Sequence, residues 1–540
     1  MKVIETVITD TLETELAYSR LAAVVNGTEY IEPQDFWTFP SPMERQTNHQ
    51  VYQGEEKIIV AIDLGTTHTA VSFTHAYPGS EIDVRTVNNS GNKMERTAGS
   101  GRGLQGSSNL FKIHINIEPK YDTTIQIPTI VAYEQYDLDS CGAEARERIG
   151  DDAYEVSKWF KLHLHPDSMK ISDEPPAYDY NVDDSPAMEI PPLPWGATLT
   201  RVYADFMEYV FKGFRTFFQE TTPNGVAIWN RLSSSIVIIL TIPNGWDTRQ
   251  QGFLKQAARE ADIVQSEEDA DLRIEFVTEG EASVHYVLGK VNHRTWLKKG
   301  TMFAVTDAGG STVDSTLYVC KALEPKLELE VCASECIQAG GVFVDRAIRA
   351  LLTEKLSNSR FGDNESISDM VDKFERRTKR VFDGSQESLV IEFGGRRDND
   401  REYGILQGKI TLTGSEVGTT FDQVIKRSTD SCLKLLAGRK VKHLLLVGGF
   451  GESPYLRLRL KKEFGSKGTE VVTVEEPSKK AAAEGAVLWY TKQIVSARVA
   501  RFTIGTNIIV PFIPANAEHF TRRNQAFIGP RQVLVSLSHL

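Results

Sequence analysis

The sequence predicts a mixed α/β fold in which two lobes face each other across a cleft. Strand-like apolar runs alternate with segments of helical spacing along most of the chain, which is typical of α/β proteins. Two segments led by Asp63 and Asp307, 244 positions apart, share one design of strand, small-residue turn and strand. This repetition indicates an internal duplication, with the two turns facing each other. A third turn, at Gly448 and Gly449, joins a predicted strand to a predicted helix.

Composition and charge narrow the class of protein. The 540 residues are 41% hydrophobic and 25% charged, which is ordinary for a globular chain with more than one core. The net charge of -12 argues against general binding to nucleic acid or to anionic membranes. No apolar run approaches the ~20 residues that a membrane helix needs. The N-terminus lacks a secretory signal, and five scattered cysteines favour a reducing, cytoplasmic location.

Several stretches are predicted to lie outside the regular core. Residues 1–56 are expected to form an N-terminal extension with a short helix over 12–25. Loops are predicted at 88–108, at 165–196 and at 394–404, because Gly, Pro, Asn and charged residues concentrate there. Cys332 and Cys336 are expected to be strand or loop thiols, since no second Cys/His pair follows at zinc spacing.

The elements between these loops follow from local pattern. Residues 237–242 form a buried-strand run, and Asp247 with Gln250 makes a capping box before a helix that continues to Ala261. Residues 198–218 are predicted as an amphipathic helix. Residues 443–447 are predicted as a strand and 454–464 as a helix, with Ser453 as its N-cap and Pro454 as its first residue.

The first turn has the residue types of a phosphate-binding loop. Gly65 lets backbone amides approach a phosphate closely, and Thr66 and Thr67 add hydroxyl donors. Asp63, at the end of the preceding strand, can hold Mg²⁺ through water. The Gly-x4-Gly-Lys-[Ser/Thr] pattern is absent, so this is not a P-loop.

The second turn repeats the design with Asp307, Gly309, Gly310, Ser311 and Thr312. A lone Asp-x-Gly turn is usually an ordinary hairpin. Two such turns, however, can grip the β- and γ-phosphate sides of one ligand.

The third turn, at Gly448, Gly449 and Phe450, offers a different surface. Its glycines leave no side chains, so a flat base or ribose can pack there. Taken alone, it is better interpreted as a plain strand-to-helix turn.

In this order the three segments resemble the two phosphate loops and the adenosine loop of the actin-like ATPase superfamily. Further segments are similar to the heat shock protein 70 family. They are the inter-lobe segment at 238–247, the segment around Glu279 at 276–283, the glycine pair Gly340 and Gly341, the nucleoside helix at 375–382, and the closing helix at 477–490. The resemblance covers roughly residues 57–492.

The resemblance implies a domain plan. Lobe I would span 57–300 and lobe II 301–475, and a closing helix at 476–492 would return to lobe I. The tail at 493–540 is too short for the family's full peptide-binding domain.

The resemblance also implies roles for single residues. Asp63 and Asp307 would position Mg²⁺ and its waters, and Glu279 and Lys161 would orient or activate the attacking water. Thr312 would lie near the γ-phosphate. From the sequence alone, Lys161 could equally be a solvated surface lysine.

The nucleoside would be held by Glu375, Lys379 and Arg380, together with Gly340 and Gly341. Glu375 lies one residue farther from the basic pair than the family pattern has it. From the residues alone, a charged and solvated helix face is an equal interpretation.

The resemblance predicts a chaperone-related ATPase that binds ATP or ADP with Mg²⁺, hydrolyses ATP slowly and couples nucleotide state to lobe closure. Client or co-chaperone proteins are the expected partners, and nucleic acid and membranes are not. The strings at 447–455 and at 243–246 resemble the divergent twelve-type branch of the family. Ser311, which replaces a common glycine, and Gly280, which replaces a proline, are departures from the family pattern. They leave open a nucleotide-binding interaction protein with little turnover. A small-molecule kinase of the same fold is the third hypothesis.

Overall fold

The computed structural model of this chain describes residues 51–87, 126–169, 190–291, 293–474 and 480–498, and the backbone of strands at 507–511, 527–528 and 534–539. Residues 1–50, with the helix predicted at 12–25, lie outside these ranges. So do the loop predicted at 88–108 and residues 170–189 of the loop predicted at 165–196.

Strands and helices alternate along the described chain. The strands are β1 (Lys57–Leu64), β2 (His68–Ala76), β3 (Arg85–Thr86), β4 (Ile127–Pro128), β5 (Ile130–Glu134), β6 (Asp137–Cys141), β7 (Glu155–Lys158), β8 (Val237–Ile242), β9 (Ile274–Thr278), β10 (Met302–Ala308), β11 (Thr312–Ala322), β12 (Glu328–Gln338), β13 (Ser388–Glu392), β14 (Ile405–Leu406), β15 (Lys409–Thr413), β16 (His443–Val447), β17 (Glu470–Thr473), β18 (Val495–Ala497), β19 (Asn507–Pro511), β20 (Phe527–Ile528) and β21 (Leu534–His539). The α-helices are α1 (Ala143–Arg146), α2 (Leu199–Thr221), α3 (Gly225–Leu232), α4 (Thr248–Glu260), α5 (Glu267–Arg273), α6 (Glu279–Lys290), α7 (Gly341–Lys355), α8 (Asn364–Lys373), α9 (Lys379–Val381), α10 (Gly414–Leu436), α11 (Pro454–Gly465) and α12 (Ala481–Lys492).

Two sheets share one strand order. In the first, the order is β3-β2-β1-β8-β9, with β1 antiparallel to β2 and parallel to β8. In the second, the order β12-β11-β10-β16-β17 repeats this plan, with β10 antiparallel to β11 and parallel to β16. β18 extends the second sheet beside β12. The matching topology confirms the predicted class, a mixed α/β fold with two lobes.

The central strands are buried on both faces, which explains their continuous apolar composition. β8 (VIILTI) is buried at every position, as expected for a strand covered by helices on both sides of its sheet. α2 covers one face of the first sheet with the predicted stripe Val202, Phe206, Val210 and Phe214, all of which are buried.

A pair of helices connects the two sheets. α6 packs against β10 and β11, and α12 packs against β1, β2 and β8, while the two helices lie against each other. Gly485 makes this contact possible, because a Cβ there would lie 1.9 Å from the carbonyl oxygen of Ala282. The helix pair therefore joins one lobe to the other.

Local predictions are confirmed at several places. The capping box of Asp247 and Gln250 is present, and the hydroxyl of Ser453 accepts a hydrogen bond from the amide of Leu456. Cys332 and Cys336 both lie in β12. None of the helices in the described part of the chain is long and apolar enough to cross a membrane.

One prediction needs correction. The segment 375–382, predicted as one α-helix, contains a π-helical turn at Phe374–Thr378 before α9. In the tail at 493–540, β21 pairs with β19 and with β20 in a small antiparallel sheet.

Candidate functional site

A cavity of about 240 Å³ lies between the two repeated sheets. The sequence-predicted residues that line it are Asp63, Gly65, Thr66, Thr67, Lys161, Glu279, Asp307, Gly309, Gly310, Ser311, Thr312, Gly341, Glu375, Lys379, Arg380, Gly448, Gly449 and Phe450. The remaining lining residues, which the sequence did not single out as site residues, are His68, Gln126, Val342, Glu452, Ser453 and Ala482. The structure thus gathers segments that are hundreds of residues apart around one space.

The two aspartate-led turns touch each other. Thr66, in the β1–β2 turn, donates from Oγ1 to Oγ of Ser311 in the β10–β11 turn over 2.6 Å, and both side chains are buried. A Cβ on Gly310 would lie 3.0 Å from Oγ1 of Thr67. A side chain at Gly310 would therefore press against the first turn and displace the hydroxyl of Thr67 slightly.

Glycine is required at two further positions of these turns. A Cβ on Gly65 would lie 2.2 Å from the carbonyl oxygen of His68. Gly448 has φ +88°, and a Cβ there would lie 2.3 Å from Oδ1 of Asp307. Gly448 therefore brings the third turn against the acidic end of β10.

Gly340 does not line the cavity. Its amide donates to the carbonyl oxygen of Ser311 over 3.0 Å, and a Cβ on it would lie 2.4 Å from the backbone of Gly310. Gly340 thus supports the second turn from behind, while Gly341 next to it reaches the cavity.

At the end of the cavity formed by the two aspartate-led turns, the carboxylates of Asp63, Glu279 and Asp307 line one wall. Burial, with the charge of Glu279, raises the pKa of Asp63 to about 6, although Lys161 and a hydrogen bond from Thr241 oppose the shift. Burial and Glu279 also raise the pKa of Asp307, which accepts a hydrogen bond from Ser283 over 2.6 Å. This wall carries an excess of negative charge, which favours a bound cation.

Asp314 lies behind the second turn and is buried. It accepts a hydrogen bond from the amide of Asn244 over 2.6 Å, which ties β11 to the segment after β8. Burial, together with Glu279, raises the pKa of Asp314 to about 7.

Lys161 and Glu279 form a buried ion pair, with 2.7 Å between Nζ and Oε1. The side chain of Lys161 is 4% exposed, so its alternative interpretation as a solvated surface lysine is wrong. Burial opposes its charge, but Glu279 and Asp63 outweigh that effect and raise the pKa of Lys161. Its ammonium also lies 5.4 Å from the centre of the Trp246 ring. Lys161 is the cation of an otherwise acidic wall.

A hydrogen-bonded chain that the sequence did not predict holds Ser311. The indole of Trp246 donates to Nδ1 of His165 over 3.0 Å, so that nitrogen acts as the acceptor. Nε2 of His165 therefore carries the proton and donates to Oγ of Ser311 over 3.2 Å. Because Oγ of Ser311 also accepts from Thr66, its own proton is available to a third acceptor, on the cavity side.

The other end of the cavity is formed by the π-helical turn and the third glycine turn. An inserted residue is what distinguishes a π-turn from an α-helix, and this accounts for the extra step between Glu375 and the basic pair. Lys379 binds Asp345 over 2.6 Å and the carbonyl oxygen of Gly341 over 3.3 Å. Arg380 is exposed at the rim. Glu375, Lys379 and Arg380 line the cavity, so this segment is not simply a charged helix face in solvent.

The carboxylate of Glu375 is held in its charged form. Burial raises its pKa, but the cations Lys379, His68 and Arg146 outweigh burial, and the net shift is downward. The ring of Phe450 lies beside Gly341, where a Cβ would be 3.4 Å from it. Because Gly341 has no side chain, the cavity wall is flat at this point. A flat apolar face beside an ionised carboxylate suits a planar base with a hydroxylated sugar.

The residues present suit a hydrated divalent cation better than a directly coordinated one. Among the described residues, no group of three or more His, Cys, Asp and Glu side chains could hold a metal ion. Asp63 and Asp307 nevertheless face one cavity, and oxygen donors reached partly through water are the ligands that Mg²⁺ prefers.

Comparisons with known proteins give short or distant likenesses. No family model matches the chain. A mitochondrial-type heat shock protein 70 of Encephalitozoon hellem is 35% identical over 83 residues, which is 14% of this chain and 14% of that relative. The chain therefore matches only a small part of that relative's length.

Among solved structures, MreB5 of Spiroplasma citri bound to ADP aligns with 80% of this chain and 96% of its own, at 12% identity and a TM-score of 0.46. Within this chain, the fold consists of one strand order repeated in two sheets, with the glycine turns meeting in the cavity between them.

Proposed function

We propose that the chain binds ATP and ADP with Mg²⁺ in this cleft, hydrolyses ATP slowly and couples nucleotide state to lobe closure. The contact between the two aspartate-led turns carries the proposal. Thr66 and Ser311 meet at 2.6 Å, while Asp63 and Asp307 line the same cavity. A polyphosphate between the turns would meet backbone amides and hydroxyls from both lobes at once.

Asp63 and Asp307 would hold the cation. Mg²⁺ bound there would supply the positive charge that neutralises the phosphate oxygens in phosphoryl transfer. The raised pKa values of both carboxylates support this role, because a cation would favour the ionised forms that burial opposes.

The attacking water would be oriented by Glu279. Its Oε1 is fixed by Nζ of Lys161 at 2.7 Å, so the carboxylate presents a defined acceptor to the cavity. Lys161 holds the carboxylate of Glu279 in place, and Thr312 and the hydroxyl of Ser311 would donate to oxygens of the terminal phosphate. Such catalysis depends on positioning and charge more than on covalent chemistry.

The position of the cavity supports the coupling to lobe closure. It is lined by turns from both repeated sheets. A nucleotide bound there would contact both turns and would hold the lobes together.

The chaperone-related part of the proposal is supported by less evidence. It is supported by the 83-residue likeness to a mitochondrial-type heat shock protein 70. Client or co-chaperone partners belong to this part of the proposal, and the cytoplasmic location stays a prediction. The lobe limits 57–300 and 301–475 are likewise proposed, and the two repeated sheets fall on either side of residue 300.

ATP hydrolysis with Mg²⁺ tests the proposal, with wild type compared to Asp307→Asn. We expect the variant to lose about 100-fold in turnover, the magnitude typical of removing one electrostatic contribution to a transition state. Asp422→Asn is the matched control, since Asp422 forms an exposed pair with Arg459 and should change nothing.

Equal rates for wild type and Asp307→Asn would exclude this chemistry. Calorimetric titration with ATP and ADP, with and without Mg²⁺, separates the alternatives. Tight binding without release of phosphate would indicate a nucleotide-binding interaction protein.

A further inference from the structure

A second cavity, of about 50 Å³, lies beside the first, and Thr66, Thr67 and Glu375 line both. Three cations from different elements line it as well. Arg146 ends α1 and Lys158 ends β7 on the first lobe, and Arg349 lies on α7 of the second. One water needs roughly 10–15 Å³ of such space. The cavity therefore has room for a few waters or for one small oxyanion.

These three cations have no carboxylate partner within ion-pair distance among the described residues. Arg349 donates to Oδ1 of Asn364 over 3.0 Å and to Oγ of Ser368 over 2.7 Å, and both acceptors are neutral. Lys158 lies 5.0 Å from the ring centre of its neighbour Trp159. Partial burial of charge without a counter-charge costs free energy, so these three side chains favour a bound anion.

The acidic side chains of the cavity do not balance this charge. Asp372 is already paired with Arg376 over 2.9 Å. Glu375 remains, and it faces Lys379 and His68 as well as Arg146 and Lys158. Burial lowers the pKa of Arg146, Lys158 and Arg349, and the charge of Arg349 lowers that of Lys158 further. The cavity is therefore net positive, and its cations repel each other across the cleft.

We propose that this second cavity is an oxyanion site, which binds inorganic phosphate between the lobes through Arg146, Lys158 and Arg349. A phosphate offers enough oxygens to accept from all three cations at once, which their convergence from two lobes requires. The two sites are adjacent and share Thr66, Thr67 and Glu375, but the three cations do not line the first cavity, so this proposal does not depend on nucleotide binding.

A phosphate bound at this site would affect the nucleotide cleft through the short segment from Lys158 to Lys161. Lys158 is joined to Lys161 by Trp159, which has φ 60° and ψ 21°, a left-handed conformation that bulky residues rarely adopt. Holding Lys158 would therefore also fix the turn that places Lys161 beside Glu279. Removing the repulsion between Lys158 and Arg349 would hold the lobes together at the same time.

Equilibrium dialysis with radiolabelled inorganic phosphate tests the site on the full chain, after saturation with Mg²⁺ and a non-hydrolysable ATP analogue. We expect one phosphate per chain. Lys158→Met and Arg349→Gln should each weaken its binding at least about tenfold, because each removes a charge-assisted hydrogen bond. Lys158→Arg keeps the charge and should retain binding, which separates charge from folding.

Arg360→Gln is the matched control, since Arg360 is exposed and forms a 4.0 Å pair with Asp398 away from the cavity. Absence of saturable phosphate binding, or equal binding in wild type and both charge-removing variants, would overturn the site. Failure of the ATP analogue to bind, measured separately, would count against the nucleotide proposal alone.

Discussion

Asp314 shows how one buried side chain can set the acid response of the protein. Its pKa is raised from about 3.8 to about 7, mainly by burial. Between these values the folded state keeps the proton that the unfolded state has lost, so the folded state binds more protons. Stability from this group is therefore present at low pH and is lost as the pH rises through that window.

We predict that Asp314→Asn flattens the pH dependence of the free energy of unfolding between about pH 4 and pH 7. The slope should become shallower by up to about 1 kcal/mol per pH unit. Urea unfolding at a series of pH values measures it. Asp363→Asn is a control of opposite sign, because hydrogen bonds from Ser366 lower the pKa of Asp363, and its contribution is lost as the pH falls. Identical slopes for wild type and Asp314→Asn would contradict the prediction.

Sequence reasoning at this scale succeeded where a motif is local and failed where a contact is tertiary. Asp63 and Asp307 were found because each follows an apolar strand and precedes small residues. For Lys161, the residues alone left a site lysine and a surface lysine equally open, since only the fold shows that Glu279 lies opposite it. The chain from Trp246 through His165 to Ser311 could not be predicted either, because its members come from three distant segments.

Among the elements, the contact between α6 and α12 brings together two helices that each supply a residue to the cavity. Glu279 begins α6, and Ala482 in the first turn of α12 lines the cavity. The spacing of the two helices is set at Gly485, where a Cβ would lie 1.9 Å from the carbonyl oxygen of Ala282 and 3.3 Å from Cβ of Tyr286. The oxygen of Ala282 belongs to the helix backbone, so it cannot move aside as the end of a flexible side chain can.

We predict that Gly485→Ala destabilises the protein by about 1–3 kcal/mol, the usual cost of overpacking, and weakens nucleotide binding as α6 shifts. Gly289→Ala, in the same helix pair, is the matched control. A Cβ there would meet only Cδ1 of Leu488 at 3.7 Å, so the change should be neutral or stabilising by up to about 1 kcal/mol. Denaturant unfolding measures the free energy of unfolding of both variants. Equal changes in the two variants would contradict the prediction that the spacing of the helices requires glycine at position 485.

At the scale of elements, a helix or strand was predicted correctly where residues within it or next to it mark its ends. β8, β16 and α11 matched their predicted limits closely, because burial and capping residues mark their ends in the sequence. The π-helical turn at Phe374–Thr378 was missed, since nothing in its residues distinguishes an inserted position from an ordinary helical one. The family spacing around Glu375 gave the only signal.

For the whole molecule, the cleft is bounded by two lobes built to the same plan. Each lobe carries a small three-stranded sheet beside its large one, β6-β5-β7 in the first lobe and β13-β15-β14 in the second. The duplication was readable from the two repeated turns. The direct contact between Thr66 and Ser311 was not, because it depends on the relative placement of two sheets.

The proposed coupling makes a distance between these small sheets depend on the nucleotide. Spin labels at Leu138→Cys on β6 and Val390→Cys on β13 occupy exposed positions on opposite lobes. We predict that their distance distribution by pulsed electron resonance becomes shorter and narrower with ATP and Mg²⁺ than with ADP, because a triphosphate contacts both turns. A second pair, Leu138→Cys with Val226→Cys, lies within the first lobe and should not change. If the inter-lobe distances with ATP and with ADP coincide while both nucleotides are bound, binding does not control closure, because a ligand shifts a conformational equilibrium only through its different affinity for the two states.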